Sequence, residues 1–112
     1  MSQITTHILD TSKGKPAQQV NVTLFRQQEQ TWSGIAEGKT NKDGRITDLL
    51  AAGITIPAGI YKLRFDTQAY FEQAPTPCFY PFVEVVFYIN DSEHYHVPLL
   101  LNPFGYSTYR GT

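Results

Sequence analysis

The chain has 112 residues, 41% of them hydrophobic and 13% aromatic, with a formal net charge of −1. That length suits one domain, residues 1–112, with a modest core, and the near-neutral charge excludes the basic footprint that nucleic acid or an anionic membrane requires. No apolar run approaches the roughly 18 residues of a membrane-spanning helix.

The start, Met1 to Thr6, lacks the basic and apolar regions of a secretory leader. The single Cys78 permits no internal disulfide, which fits a reducing compartment, and it is expected as a small buried apolar residue. These features favour the cytoplasm; a leader removed ahead of Met1 would instead place the protein in the periplasm. The ending is not a peroxisomal Ser-Lys-Leu.

Along the chain, residues 3–9 are enriched in β-branched residues and read as a strand. Asp10 to Pro16 carries Asp, Ser, Gly and Pro and reads as a loop. Val20 to Arg26 alternates, with Val20, Val22 and Leu24 on one side and Asn21 and Thr23 on the other, as in a half-buried antiparallel strand. After a polar turn at Gln27–Gln30, Thr31 to Thr40 forms a third strand. Asn41-Lys42-Asp43-Gly44 is the strongest turn signal, because Gly supplies positive φ and Asn or Asp a local hydrogen bond. Arg45 to Asp48 is then a short strand.

Leu49 to Ala58 reads mostly as loop, since Gly53 and Pro57 interrupt its helix-forming residues. Ile60 to Phe65 alternates with Tyr61, Leu63 and Phe65 on one side. Asp66 or Thr67 is placed to cap a short helix through about Gln73, which Pro75 and Pro77 end. Phe82 to Ile89 is a strand whose Phe82, Glu84, Val86 and Tyr88 face is not purely core. Asn90 to Ser92 is a turn. His94 to Leu101 and Tyr106 to Arg110 are the last two strands, joined at Asn102–Gly105. Eight short strands at close spacing predict an all-β sandwich.

Two of the three histidines, His94 and His96, lie near the end of the chain and the third is His7. Read alone, His7 and His96 are ordinary strand histidines, although the imidazole is the side chain best suited to proton transfer near neutrality. An unbroken pleat would put His94 and His96 on one face. With His7 they could make a three-histidine zinc site, but any His-x-His strand meets that spacing and no Cys or acidic cluster supports it. Arg45, an ordinary surface arginine on its own, offers a fixed, always-charged fork that can give two parallel hydrogen bonds to carbonyl or ring-nitrogen acceptors. Ser107 lacks a Gly-x-Ser-x-Gly elbow, Cys78 lacks a local base, and no phosphate loop or dinucleotide fingerprint occurs.

The ending Tyr109-Arg110-Gly111-Thr112 resembles that of the 5-hydroxyisourate hydrolases, transthyretin-like enzymes of urate breakdown whose signature closes Tyr-Arg-Gly-Ser. Three more stretches fit: Thr6 to Thr11 with Gly14 to Ala17, Thr40 to Arg45, and Gly59 to Leu63. The resemblance spans essentially the whole chain and departs from the pattern at Thr112, where the hydroxyl is kept but the added methyl restricts χ1.

The resemblance implies a sandwich of two four-stranded sheets with one short helix. It implies a homotetramer, a dimer of dimers with sites at the dimer–dimer interface, and outward Tyr106 and Leu99–Leu101 would find cover there. It assigns His7, His96 and Arg45 to catalysis, with His7, Arg45, Tyr109 and Thr112 binding 5-hydroxyisourate. Tyr109 would stack on or hydrogen-bond the flat ring, and Gly111 would let the backbone approach closely. Arg110 supports the tail structurally, as an ion pair at a subunit boundary. His94 sits on the rim. The implied reaction needs no metal or other cofactor: one of His7 and His96 takes a proton from water and the other orients it or shuttles the proton. Two alternatives share the fold: a carrier that binds an aromatic ligand without chemistry, and an adhesive sandwich that only binds partners. Buried cationic donors would serve no apolar ligand, and the lack of a linker, leader and disulfide counts against the adhesive sandwich.

Overall fold

The computed structural model describes residues 2–112. The strands are β1 Ile4–Asp10, β2 Lys15–Pro16, β3 Asn21–Gln28, β4 Thr31–Lys39, β5 Arg45–Ile46, β6 Gly59–Phe65, β7 Val83–Ile89, β8 Tyr95–Asn102 and β9 Gly105–Thr108, and helix α1 spans Thr67–Gln73. They form two sheets. One has the order β2-β1-β8-β9, with β5 also paired to β1; the other has the order β4-β3-β6-β7. Strand β1 runs parallel to β8 along one edge, while β5 and β2 share its other edge.

The core lies between the sheets and follows the pleat. Ile4 and Ile8 of β1, Val22 and Leu24 of β3, Tyr61, Leu63 and Phe65 of β6, and Leu99 and Leu101 of β8 are buried there. The alternation in Val20–Arg26 and Ile60–Phe65 therefore gives the inward faces as read from sequence. On the outward face of β6, Lys62 is nonetheless covered. Its ammonium lies 3.0 Å from Glu84 Oε2 and 4.4 Å from the Trp32 ring centroid.

Several expectations need correction. The loop Asp10–Pro16 contains β2, a two-residue strand that composition hides: Pro16 lacks an N–H and sits at the sheet edge, where none is needed. Strand β5 stops at Ile46 rather than Asp48. Leu99 and Leu101 point into the core rather than outward; of that run only Leu100 faces away, half-buried. His94 precedes β8, and Tyr109 and Arg110 follow β9, so these are not strand residues. Asp66 occupies the cap position of α1 but makes no side-chain capping bond. Arg64, whose guanidinium stacks 3.9 Å from the Phe82 ring centroid, holds the Asp66 carboxylate at 3.3 Å instead. Cys78 is only half-buried against the core.

Candidate functional site

A cavity of about 440 Å³ opens on the outer face of the β2-β1-β8-β9 sheet. The pleat explains its walls. Ile4, Thr6 and Ile8 turn one way along β1, so Thr5 and His7 turn the other; on β8, Tyr95 and Val97 face inward and His96 outward. Thr5 is the register partner of His96, and His7 that of Arg45. Cross-strand partners share a face, so four polar side chains converge from three strands.

The turn before β5 fixes two of these residues. Asn41 Oδ1 accepts the backbone N–H groups of Asp43 (2.9 Å) and Arg45 (3.0 Å). Gly44 closes the turn at φ +73°, and a Cβ there would sit 2.5 Å from the Ile8 carbonyl oxygen. The Asp43 backbone and carboxylate lie close enough to His7 to favour its protonated form.

The tail forms the remaining wall. The Gly111 N–H donates to the His96 carbonyl at 2.8 Å, so the chain end is laid back along β8. A Cβ at Gly111 would stand 2.6 Å from His96 Cδ2, a separation that no side chain tolerates. Glycine is required there for close approach to the imidazole. Tyr109, Gly111 and Thr112 all line the cavity, as does His94.

The electrostatics favour neutral imidazoles. Burial holds His7 below its ordinary 6.5, and the Arg45 cation lowers it further against the hydrogen bond and charge of Asp43. Burial likewise lowers His96, reinforced by Arg45, His94 and His7. Arg45 has no carboxylate partner among the described residues. The cavity thus presents an unpaired guanidinium beside two imidazoles able to accept protons, the constellation needed to attack a planar carbonyl compound with water.

Arg110 takes a different place from the other tail residues. It lies outside this cavity, in a second one of about 320 Å³ shared with Val85 to Tyr88, and stacks 4.3 Å from the Tyr95 ring centroid with no ion pair. No group of three His, Cys, Asp or Glu side chains among the described residues is arranged to hold a metal ion. His94 Nε2 and His96 Nδ1 instead both turn to Thr5 Oγ1, at 2.8 and 2.7 Å. Thr5, Thr6 and Thr47 also line the cavity and were not singled out from sequence. The spacing of Thr5 two residues before His7 was a usable signal for the first of them.

Two sheets in this order, a short helix after β6 and a polar cavity on the outer face define a transthyretin-type sandwich with a cationic, histidine-bearing site. A family model described as HIUase/Transthyretin family matches residues 4–111, and the chain belongs to that family. It is 46% identical over 114 residues to the 5-hydroxyisourate hydrolase of Mus musculus, covering 99% of this chain and 96% of that one. Among solved structures, 5-hydroxyisourate hydrolase of Klebsiella pneumoniae superposes with a TM-score of 0.85 at 39% identity, covering 97% and 92% of the two chains. Sea bream transthyretin in complex with thyroxine superposes with a TM-score of 0.91 at 34% identity, covering 99% and 96%.

Proposed function

We propose that this protein hydrolyses 5-hydroxyisourate to 2-oxo-4-hydroxy-4-carboxy-5-ureidoimidazoline in urate breakdown, opening the six-membered ring by attack of water on a ring carbonyl. The observation that carries this reading is the pair of imidazoles with lowered pKa values, His7 and His96, beside the unpaired Arg45 in one cavity.

His7 and His96 divide the proton work: one takes the proton of the attacking water, and the other orients that water or passes the proton on. General acid–base catalysis of this kind contributes roughly 10²- to 10⁴-fold. Arg45 holds the substrate and steadies charge developing on the attacked oxygen. Tyr109 and Thr112 bound the planar ring, and Gly111 seats the tail against His96. The working form is a cytoplasmic homotetramer, a dimer of dimers that brings the cavities to the interface between dimers.

A carrier role is the second reading, favoured only by the close superposition with the thyroxine-bound transthyretin. An unpaired guanidinium facing two imidazoles weighs against it, because an apolar ligand would bury those groups without partners.

The deciding experiment generates 5-hydroxyisourate in place with urate oxidase and follows its ultraviolet decay. Decay faster than the spontaneous reaction, lost when Tyr109 to Thr112 are deleted from an assembly of unchanged size, supports the hydrolase. Decay no faster than the blank, with thyroxine bound, would establish the carrier.

A further inference from the structure

We propose that Thr5 is a positioning residue that joins the cavity imidazole of His96 to the outer imidazole of His94, so that a proton passes between cavity and solvent along the three side chains. The inference deepens the hydrolase reading and rests on it for its role in turnover.

The geometry is specific. Thr5 is buried on β1 and is the register partner of His96. Its Oγ1 lies 2.7 Å from His96 Nδ1 and 2.8 Å from His94 Nε2. That hydroxyl makes no other hydrogen bond among the described residues. A hydroxyl has one hydrogen to donate, so Thr5 donates to one ring and accepts from the other. His94 is exposed and also lines a neighbouring groove with Ser2, Gly53 and Ile54, which places it between the cavity and open solvent.

Two arrangements satisfy all three groups. In one, His94 Nε2–H donates to Thr5, Thr5 donates to His96 Nδ1, and His96 carries its hydrogen on Nε2. In the other, His96 Nδ1–H donates to Thr5, Thr5 donates to His94 Nε2, and His96 Nε2 is bare and can accept. From the second arrangement, a proton taken up at His96 Nε2 is matched by transfer of the Nδ1 hydrogen to Thr5 Oγ1. The hydrogen already on Thr5 moves to His94 Nε2, and His94 releases its Nδ1 hydrogen to solvent. One proton enters, one leaves, and the first arrangement results. Such an exit is needed, because water opening a cyclic amide yields a carboxylic acid that is ionised at neutral pH, so one proton is released per turnover.

The coupling has a consequence independent of substrate. A protonated His94 keeps a hydrogen on Nε2, so Thr5 must accept it and donate to His96 Nδ1. A molecule with His94 protonated and His96 neutral therefore holds His96 as the Nε2–H tautomer. The other groups facing His96 are His7 from β1, Arg45 from β5 and Tyr109 from the tail; Asp91 and Glu93 share the turn of His94.

The test uses the intact assembly labelled with ¹⁵N-histidine, as wild type, Thr5→Val and Thr5→Ser. Nitrogen shifts of His96 should report the tautomer change on acidification in wild type and Thr5→Ser, and lose it in Thr5→Val. In the decay assay, Thr5→Val should lower kcat about 10- to 100-fold at unchanged KM, part of the 10²- to 10⁴-fold range of acid–base catalysis, while Thr5→Ser keeps most of the rate. A His96 tautomer indifferent to His94 in wild type, or Thr5→Ser as slow as Thr5→Val, overturns the relay. A tautomer change in a wild-type protein that does not hydrolyse 5-hydroxyisourate keeps the coupling and removes the hydrolase reading instead.

Discussion

At the scale of residues, Arg45 acts twice: it offers hydrogen bonds to a substrate and lowers both neighbouring imidazoles. A base works in its neutral form. Activity is therefore full above the lowered pKa values and falls as pH drops through them, so the acid limb of kcat/KM lies below 6.5. Replacing Arg45 with Gln removes the cation, which raises both imidazoles, and the acid limb should move to higher pH. The same variant should lose about 10²- to 10³-fold in kcat, the usual cost of removing one charge-stabilising donor. A pH profile of Arg45→Gln checks both; an unmoved limb would mean the guanidinium does not act on the base. His7, Arg45, His96 and the tail were legible because their contexts resemble a family. Thr5 was not, since a threonine in a strand is what β propensity alone supplies. Only the register between β1 and β8 sets its hydroxyl between two rings.

At the scale of elements, the Asn41–Gly44 turn is the device that places the site. It holds the Arg45 N–H through Asn41, brings the charge of Asp43 toward His7, and receives the Ile8 N–H on the Gly44 carbonyl at 2.8 Å. Gly44→Ala should cost roughly 1–3 kcal/mol of stability from the left-handed backbone, and more because the new Cβ meets the Ile8 carbonyl. Urea unfolding monitored beside activity checks this; a drop in kcat/KM at temperatures where the variant remains folded would show that the turn aims Arg45. The turn was plain in the sequence because Gly and Asn act locally. The elements that were misread depend on partners distant in sequence. Pro16 becomes a strand residue only because Leu9 lies opposite it, and Asp66 forgoes its cap because Arg64 competes for the carboxylate. The tail breaks from the β8 ladder at Tyr109 and Arg110, and Gly111 rejoins it at His96 in the same register.

At the scale of the whole molecule, the outer face of the cavity sheet carries apolar side chains beside the polar site. Leu9 and Leu100 are register partners on that face, next to the His7 and Pro98 pair, and both remain partly exposed in a single chain. At the sheet margins, Tyr88 on β7 and Tyr106 on β9 are also uncovered, 67% and 42% exposed. Edge strands β7 and β9 both border the second cavity, so joining two copies along these edges would satisfy both sheets at once. The Leu9 and Leu100 face would then be left for stacking two such dimers, with the cavities between them. On this arrangement Leu100→Lys places a charge from every protomer near a desolvated contact without touching the core, because Leu99 and Leu101 point the other way. Light scattering should find the wild type at four times the 12.7 kDa protomer mass and Leu100→Lys at twice it, with kcat/KM reduced alongside. A Leu100→Lys protein that remains tetrameric would move the dimer–dimer contact to another face, and one that is dimeric yet fully active would show that each cavity is complete within its own dimer.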